Sequence, residues 1–170
     1  MMNPKSPADS TTLLARMMGI TDANSAGNVH GGTVMKLVDE AAGLAAIKHS
    51  GKRVVTAAMD RMTFLVPIEV GDVVSFCATV NAAWRTSMEV GVRVEAENPR
   101  TGETRHTNTA YLTMVALDEQ GQPSPVAPVL ARSPTEQRRM REAELRRANR
   151  LAERAEIISR REAETEAEAR

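Results

Sequence analysis

The alternation of apolar and polar positions changes along the chain, and this change predicts one helix followed by a sheet. From about Gly32 to His49, apolar residues cover more than half of a helix circumference, which indicates a helix buried on most sides. Apolar residues at every second position then predict strands, separated by loops rich in Gly, Pro and Asp. The strands are expected at residues 54–60, continuing in alternation over 62–66, and at 73–83, 87–97 and 104–117. A weaker first strand is expected from Ser10 to Met18.

This order of elements favours an α+β fold in which an antiparallel sheet wraps around one long central helix. The strands follow one another through short turns, as in a meander, and the buried helix needs a sheet to cover its apolar surface. Residues 10–130 are expected to form this domain, preceded by a disordered leader at residues 1–9.

The composition changes near Ser133, and residues 131–170 are expected to form a charged helical tail. Between residues 134 and 170 there are 10 Arg and 9 Glu among 37 residues. Ser133, Pro134 and Glu136 have the spacing of a helix N-terminus with a capping box. The apolar stripe of this helix is thin, so a solvated helix, a fraying helix and a helix docked on a neighbour all stay open.

The remaining composition narrows the class of protein. Lys plus Arg and Asp plus Glu are both 22, so net charge gives no reason to expect nucleic acid or an anionic membrane as a partner. The aromatic content of 2% disfavours base stacking, and no apolar run approaches the roughly 20 residues that span a membrane. The single cysteine, Cys77, fits a reducing compartment and a cytoplasmic protein, and it is expected in the core. The three scattered His and this Cys do not form a zinc site, so no metal or cofactor is expected.

The candidate chemistry lies where a Gly-rich loop enters the buried helix. At Gly31 and Gly32, backbone N–H groups at the helix N-terminus are accessible to a ligand, and they can polarise a carbonyl oxygen and stabilise an oxyanion. Asp39 follows Gly32 by close to two helical turns, so both point along one face. Asn28 offers an amide that can orient a water or a carbonyl. This combination suits hydrolysis of an activated acyl group.

Each of these residues can also have a purely structural role. Gly31 and Gly32 can be no more than a tight entry to a helix, and Asp39 with Glu40 can be a solvent-facing pair. His30 is expected to cap the loop, because no Ser or Cys is placed to pair with it. His49 is expected to be a cation near the C-terminus of the helix.

Three segments resemble, in this order, the acyl-CoA hydrolases of the hotdog-fold thioesterase superfamily: GNVHGGTVMKLVDEAAG, VVTAAMDRMTFLVPIEVGD and RTSMEVGVRVEAEN. The similarity is strongest to the branch of bacterial broad-range acyl-CoA thioesterases and mammalian cytosolic acyl-CoA hydrolases, and it covers about Asp22 to Leu130. The resemblance implies an acyl-CoA substrate and a homodimer of hotdogs that share one continuous sheet. It also implies that such dimers often assemble into trimers of dimers, which are hexamers.

The resemblance further implies roles for particular residues. The active-site amide falls on Asn28, and the catalytic carboxylate, as general base or nucleophile, falls on Asp39. In two-domain members the two groups come from different repeats, which implies that Asn28 of one subunit meets Asp39 of its partner. The N–H groups near Gly31 and Gly32 would polarise the thioester. The residues expected around coenzyme A are His30, Val55, Thr56, Ala57, Arg61, Arg85, Thr86, Ser87, Arg138 and Arg139.

One alternative function stays open, a non-catalytic acyl-CoA sensor whose charged tail is a partner-binding arm. A hotdog hydratase is disfavoured, because its histidine would fall five residues after Asp39, where this chain has Leu44. The sequence pattern does not indicate the preferred acyl chain length.

Overall fold

The computed structural model describes residues 2–168, which form five strands and two long helices. The helices are α1 (Gly31–Ser50) and α2 (Pro134–Glu168), and short 3₁₀ helices lie at Pro7–Ser10 and Ile20–Asp22. The strands are β1 (Thr12–Met17), β2 (Arg53–Met59), β3 (Val73–Ala83), β4 (Ser87–Glu97) and β5 (Thr104–Leu117). The α+β class is confirmed, and β3, β4 and β5 have the predicted bounds.

The five strands form one antiparallel sheet in the order β1-β3-β4-β5-β2, and α1 contacts all five of them. Every second residue of the central strands faces the helix, and Phe76, Val92 and Leu112 are fully buried there. The matching buried residues of α1 are Val34, Leu37, Val38, Ala41, Ala42, Ala45 and Ala46. Small alanines let the helix approach the strands closely, so one face of the sheet encloses an aliphatic core.

One side of α1 and the edge of β2 are uncovered in the single chain. Leu44 and Ile47 of α1 are 45% and 46% exposed, so the helix is buried on fewer sides than the pattern predicts. Val55 of β2 is 45% exposed, and within residues 2–168 this strand pairs with β5 alone. An unpaired strand edge next to exposed apolar side chains is a surface suited to pairing with another chain.

The N-terminal segment packs on the domain, so the prediction of a disordered leader is wrong for the residues described; Met1 lies outside them. Lys5 forms a parallel bridge with Val129, and its Nζ donates to the carbonyl oxygen of His49 at 2.6 Å. Ser6 then caps the 3₁₀ helix in a capping box with Asp9. These local hydrogen bonds order a segment whose composition is typical of a flexible terminus.

His49 is not the expected cation at the end of α1. Its side chain is 1% exposed, and its Nε2 is 2.8 Å from the carbonyl oxygen of Ala127. Burial lowers the pKa of His49 below its usual value, although the contact with Ala127 acts in the opposite direction. The helix ends at Ser50 and is capped by Gly51, which has a left-handed backbone (φ 67°) and donates its N–H to the carbonyl oxygen of Ile47.

Two further predictions from alternation are wrong. Residues 62–66 are not a strand; they form a loop in which Phe64 lies against Gly31. Cys77 is exposed rather than in the core, because Phe76 and Ala78 on either side of it occupy the inward-facing positions of β3. The alternation of Ser75, Cys77 and Thr79 with buried apolar residues marks the outward face of this strand, which the prediction for Cys77 did not use.

The proximal half of α2, residues 134–150, docks on the outer face of the sheet. The predicted capping box is confirmed: Ser133 Oγ accepts from the Glu136 backbone at 3.2 Å, and Glu136 Oε2 accepts from the Ser133 backbone at 2.9 Å. The backbone N–H groups of Ser133 and Arg132, which both donate to the Glu136 carboxylate, lower its pKa. Ala143 is fully buried, and it marks the face of the helix that packs on the sheet.

A buried ionic cluster holds this half of α2 in place. Glu89 is fully buried, and it accepts two hydrogen bonds from the Arg146 guanidinium, at 3.0 and 2.7 Å. Asn81 Nδ2 donates to the same carboxylate at 3.1 Å, and Arg146 stacks on the Tyr111 ring at 3.6 Å. Burial opposes the charge of Arg146, but the hydrogen bonds and charge of Glu89 prevail and raise its pKa. Gly91 provides the space, since a Cβ there would lie 2.6 Å from Asn81.

The distal half of α2, residues 151–168, is different. The last docking contact of the proximal half joins Arg150 to Asp60 at 2.9 Å, and residues 151–165 are all exposed. The tail is therefore docked in one half and solvated in the other. Among residues 2–168, neither helix is long and apolar enough to cross a membrane.

Candidate active site

The N-terminus of α1 is capped by a side chain of its own loop. His30 is the N-cap residue, and its Nδ1 accepts the Gly32 N–H at 3.0 Å, which confirms the predicted capping role. The Gly32 N–H is therefore occupied, contrary to the expectation that it is available to a ligand. The Gly31 N–H, at the first position of the helix, has no acceptor within the helix. The oxyanion donor predicted at two glycines is thus reduced to one in this conformation.

A cleft of about 380 Å³ opens at this end of the helix. Two amides, Asn24 and Asn28, lie on one wall, and Gly31 lies at the helix start. The Phe64 ring is 3.4 Å from the position of a Cβ at Gly31, so this glycine allows the aromatic ring to close the cleft. The remaining walls are apolar, so the cleft suits an acyl or pantetheine chain more than a charged group.

The side-chain amide of Asn24 takes part in the structure of the loop. Asn24 Oδ1 accepts from the backbone N–H of Ala26 at 2.9 Å and of Asn28 at 3.3 Å, which shapes the loop. Its Nδ2 is not used in that turn and can donate. Asn24 was missed by sequence reasoning, because an Asn among Ala, Ser and Gly is typical of any turn.

Asp39 lies at a separate place in the chain. It is half-buried on α1, and its Oδ1 accepts a 2.5 Å hydrogen bond from Thr56 Oγ1 on the edge strand β2. Asp39 follows Gly31 by eight residues, which is about 12 Å along a helix axis. The Asp39 carboxylate and the Asn24/Asn28 cleft are therefore at different positions along the helix. The structure thus brings together Asp39 and Thr56, which were predicted separately as a catalytic and a coenzyme A-binding residue, whereas Asn28 and Asp39 of one chain are apart.

Several residues expected around coenzyme A lie in one row across the sheet. Val55 on β2 is opposite Val115 on β5, and Val115 is opposite Ser87 on β4. The corner before β4 is tied to the same place, since the Thr86 carbonyl accepts from Ala116 at 3.0 Å. Two predicted segments, Val55–Thr56–Ala57 on β2 and Arg85–Thr86–Ser87 at the start of β4, thus lie at the same level of the sheet, with β5 between them.

The remaining basic candidates lie elsewhere. Arg138 and Arg139 line a cavity of about 200 Å³ with Cys77 and Arg93, on the face of the sheet opposite to α1. The side chain of Arg61 is 95% exposed, and its nearest anion is Glu153 at 3.7 Å. Within the described chain these arginines are not brought to Asp39.

A curled antiparallel sheet around a central helix, with a carboxylate at the open edge, defines a hotdog-fold protein. A family model described as the thioesterase superfamily matches residues 26–103. Protein VdlD of Helicobacter pylori is 40% identical over 120 residues, which cover 70% of this chain and 68% of that protein. The chain belongs to the thioesterase superfamily, and the predicted resemblance is confirmed.

Solved structures agree closely with this assignment. A structure described as an apo-hexameric acyl-CoA thioesterase is 38% identical, with a TM-score of 0.87 over 91% of this chain and 99% of that one. The acyl-CoA hydrolase of Staphylococcus aureus, in complex with butyryl coenzyme A, coenzyme A and coenzyme A disulfide, is 36% identical. Its TM-score is 0.83, over 89% of this chain and 93% of that one.

Variants of the S. aureus hydrolase identify three positions to compare. In that protein an Asn, an Asp and a Thr have each been replaced by Ala, the Asn 15 residues before the Asp and the Thr 17 residues after it. The same spacings here join Asn24, Asp39 and Thr56. Two of these residues are the hydrogen-bonded pair at the β2 edge, and the third is the amide that the sequence analysis did not select.

Proposed function

We propose that this chain hydrolyses acyl-CoA thioesters to the free carboxylic acid and coenzyme A. The observation that carries the proposal is the Asp39–Thr56 pair at 2.5 Å, placed at the open β2 edge beside the Val55–Ser87 row. The S. aureus hydrolase that binds butyryl coenzyme A has an Asp and a Thr at this spacing. The reaction needs only the thioester and water, so the proposal includes no cofactor.

The working unit is an oligomer in the cytoplasm. Two copies pair through their β2 edges and cover the exposed side of α1, and such dimers assemble further into a trimer of dimers. The support is the unpaired β2 edge, the exposed Leu44 and Ile47, and the hexameric state of a close structural relative. The sequence has a single cysteine, Cys77, and therefore no intramolecular disulfide, which fits a reducing compartment.

Each active site is shared between two subunits. Because Asp39 and the amide cleft are separated by about 12 Å along α1, one copy cannot place both on one thioester carbonyl. A two-fold dimer makes two equivalent sites, each with the carboxylate of one subunit and the cleft of the other. Asn28 is the active-site amide predicted from the sequence, and Asn24, which lies in the same cleft, is the alternative.

In the general-base mechanism, Asp39 takes a proton from a water molecule whose oxygen attacks the carbonyl carbon. The Gly31 N–H stabilises the oxyanion, and an Asn amide orients the water or the carbonyl. The tetrahedral intermediate then breaks its C–S bond, and the thiolate of coenzyme A recovers the proton from Asp39. In the nucleophilic mechanism, the carboxylate attacks the carbonyl carbon directly, the C–S bond breaks, and a mixed anhydride forms as the thiolate of coenzyme A leaves. Water then hydrolyses the anhydride, which restores the Asp39 carboxylate, and the proton that water releases goes to the thiolate. Thr56 positions the carboxylate in both cases.

The central test is thiol release from a panel of acyl-CoAs by the wild type and by Asp39→Asn. We expect kcat of the variant to fall by about 10²- to 10⁴-fold, because the general base or nucleophile is lost. Glu40→Gln, which changes the exposed neighbouring carboxylate, is the matched control and should retain activity. Wild-type protein that binds acyl-CoA without releasing thiol would overturn the hydrolase and favour an acyl-CoA sensor.

Single-turnover hydrolysis in ¹⁸O-labelled water separates the two mechanisms. If Asp39 is the general base, the label enters only the product acid. If Asp39 is the nucleophile, water attack on the anhydride can leave label in the Asp39 carboxylate, which mass spectrometry of the digested protein detects.

Complementation tests the shared site and selects the amide. Asn24→Ala and Asn28→Ala are each mixed with Asp39→Ala under conditions where subunits exchange. The variant of the working amide should be inactive alone and recover up to a quarter of the wild-type sites in an equal mixture. If exchange is demonstrated and neither mixture recovers activity, the site lies within one subunit.

A further inference from the structure

The docked half of α2 crosses the strands of the sheet one after another. Arg138 lies near Thr79 on β3, Arg146 contacts Glu89 on β4 and Tyr111 on β5, and Arg150 binds Asp60 just after β2. The helix thus runs across the sheet and leaves it over β2. Among the described side chains, the last ion pair between α2 and the rest of the chain joins Arg61 and Glu153 at 3.7 Å.

The side of α2 that faces the sheet continues into the distal half. Ala143 and Arg150 lie on the docked side, seven residues apart, and a further seven residues lead to Ile157 on the same side. Ile157 and its neighbour Ile158 are each 44% exposed. They are the only isoleucines of α2, in a stretch that is otherwise mainly Arg, Glu and Ala. Isoleucine is a weaker helix former than those residues, so its presence here is better explained by packing than by helix propensity.

The position of the β2 edge indicates what could cover these isoleucines. From Glu153 to Glu168, α2 extends about 22 Å at 1.5 Å per residue. A strand added to β2 lies about 4.8 Å away, so the distal half projects over the width of roughly four added strands. Any chain that pairs with β2 must therefore lie beside the distal half of α2.

We propose that the distal half of α2 is an arm that docks on a second copy of this chain, with Ile157 and Ile158 as its apolar contacts. The copy is the one that pairs through β2, so the inference rests on the oligomer proposed above. A two-fold axis at the paired edges gives each subunit one arm on its partner. The buried Glu89–Arg146 cluster sets the direction in which the arm projects.

A photocrosslinker tests this contact directly. Benzoylphenylalanine is introduced at Ile157 in full-length protein, with copies carrying two different affinity tags expressed together. The matched control places it at Ser159, which is exposed and lies about 200° around the helix. We expect crosslinks between differently tagged copies from position 157, at least tenfold more abundant than those from position 159.

The oligomer and the arm can fail separately in this experiment. Native mass spectrometry of the same samples measures the assembly. An intact dimer or hexamer in which position 157 crosslinks only within its own chain, or not at all, overturns the arm and leaves β2 pairing standing. A monomer overturns both.

Substitution of the apolar contacts gives an independent measurement. The double variant Ile157→Glu with Ile158→Glu should raise the subunit dissociation constant about tenfold or more, because two isoleucines that the proposed contact buries are lost. Ser159→Glu adds charge at the same height of the helix and should leave dissociation unchanged. Equal dissociation constants for wild type and the double variant would overturn the arm.

Discussion

The two helices of this protein lie on opposite faces of one sheet and are held by opposite kinds of contact. α1 packs through Leu37, Val38 and a row of alanines, with no buried ion pair, whereas the proximal half of α2 is held by Glu89–Arg146 and Asp60–Arg150. The stabilisation from apolar burial is spread over many contacts and tolerates small changes in side-chain volume. The stabilisation from a buried carboxylate is lost when its one guanidinium partner is removed. The comparison shows that a helix of unfavourable hydropathy can still be part of the fold.

Arg146→Ala tests the ionic attachment of α2. We expect a loss of about 3–5 kcal/mol in the free energy of unfolding, because Glu89 is left buried without its cation. Arg147→Ala, next to it, removes a half-buried cation–π contact with Trp84 at 4.7 Å and should cost at most about 1–2 kcal/mol. Denaturant unfolding at equal protein concentration gives both values. Equal losses in the two variants would contradict the anchoring role of the cluster.

Leucine-to-alanine substitutions test whether apolar contacts stabilise α1 more than α2. Leu37→Ala in α1 removes a 5% exposed side chain and should cost about 2–4 kcal/mol through the cavity that it leaves. Leu145→Ala in α2, where the side chain is 62% exposed, should cost less than about 0.5 kcal/mol. Chemical denaturation checks both variants, and comparable values would mean that α2 is held by apolar contacts after all.

A smaller effect is expected at the first turn of α2. Ser133→Ala removes the N-cap hydrogen bond to Glu136 and should cost about 1 kcal/mol. Ser159→Ala in the solvated half of the helix is the control and should be neutral within about 0.5 kcal/mol. If thermal or denaturant unfolding shows no difference between these variants, the capping box contributes nothing measurable.

A smaller effect still is expected at the C-terminal end of α1, where His49 should make the free energy of unfolding depend on pH. The folded pKa of His49 is below its usual value of 6.5, so the neutral side chain favours the folded state. Stability from this residue is complete above about pH 6.5 and is lost as pH falls below that value toward the folded pKa. His49→Gln should flatten this part of the curve of unfolding free energy against pH. An unchanged slope below pH 6.5 would contradict the assignment.

Period and turn chemistry were enough to predict most of the fold. The bounds of β3, β4 and β5 follow from alternation between clear turns, and α1 differs from its prediction by one residue at each end. Alternation also places Glu89 on the outer face of β4, where it would be solvated. Nothing near it in sequence indicates that Arg146, 57 residues later, covers it. Contacts between distant charged residues leave no periodic signal.

The candidate site was predictable where a residue stands out from its local pattern, and not where it depends on contacts between distant segments. Asp39 stands out as a carboxylate in an apolar helix, and the structure places Thr56 against it. The sequence predicted that His30 caps the loop. It did not predict that this cap occupies the Gly32 N–H, which is therefore not available to a ligand. The choice between Asn24 and Asn28 depends on which side chain the loop itself uses, and composition does not reveal that.

The docking of α2 also has a consequence for the order in which this protein forms. Its contacts join residues that are 57 and 90 positions apart, and its cationic members are translated after every strand of the sheet. Until Arg146 leaves the ribosome, Glu89 has no guanidinium and remains hydrated on an open sheet surface. The helix therefore closes the outer face as a late event, and the nascent domain presents that face to solvent and chaperones for the time needed to synthesise the tail.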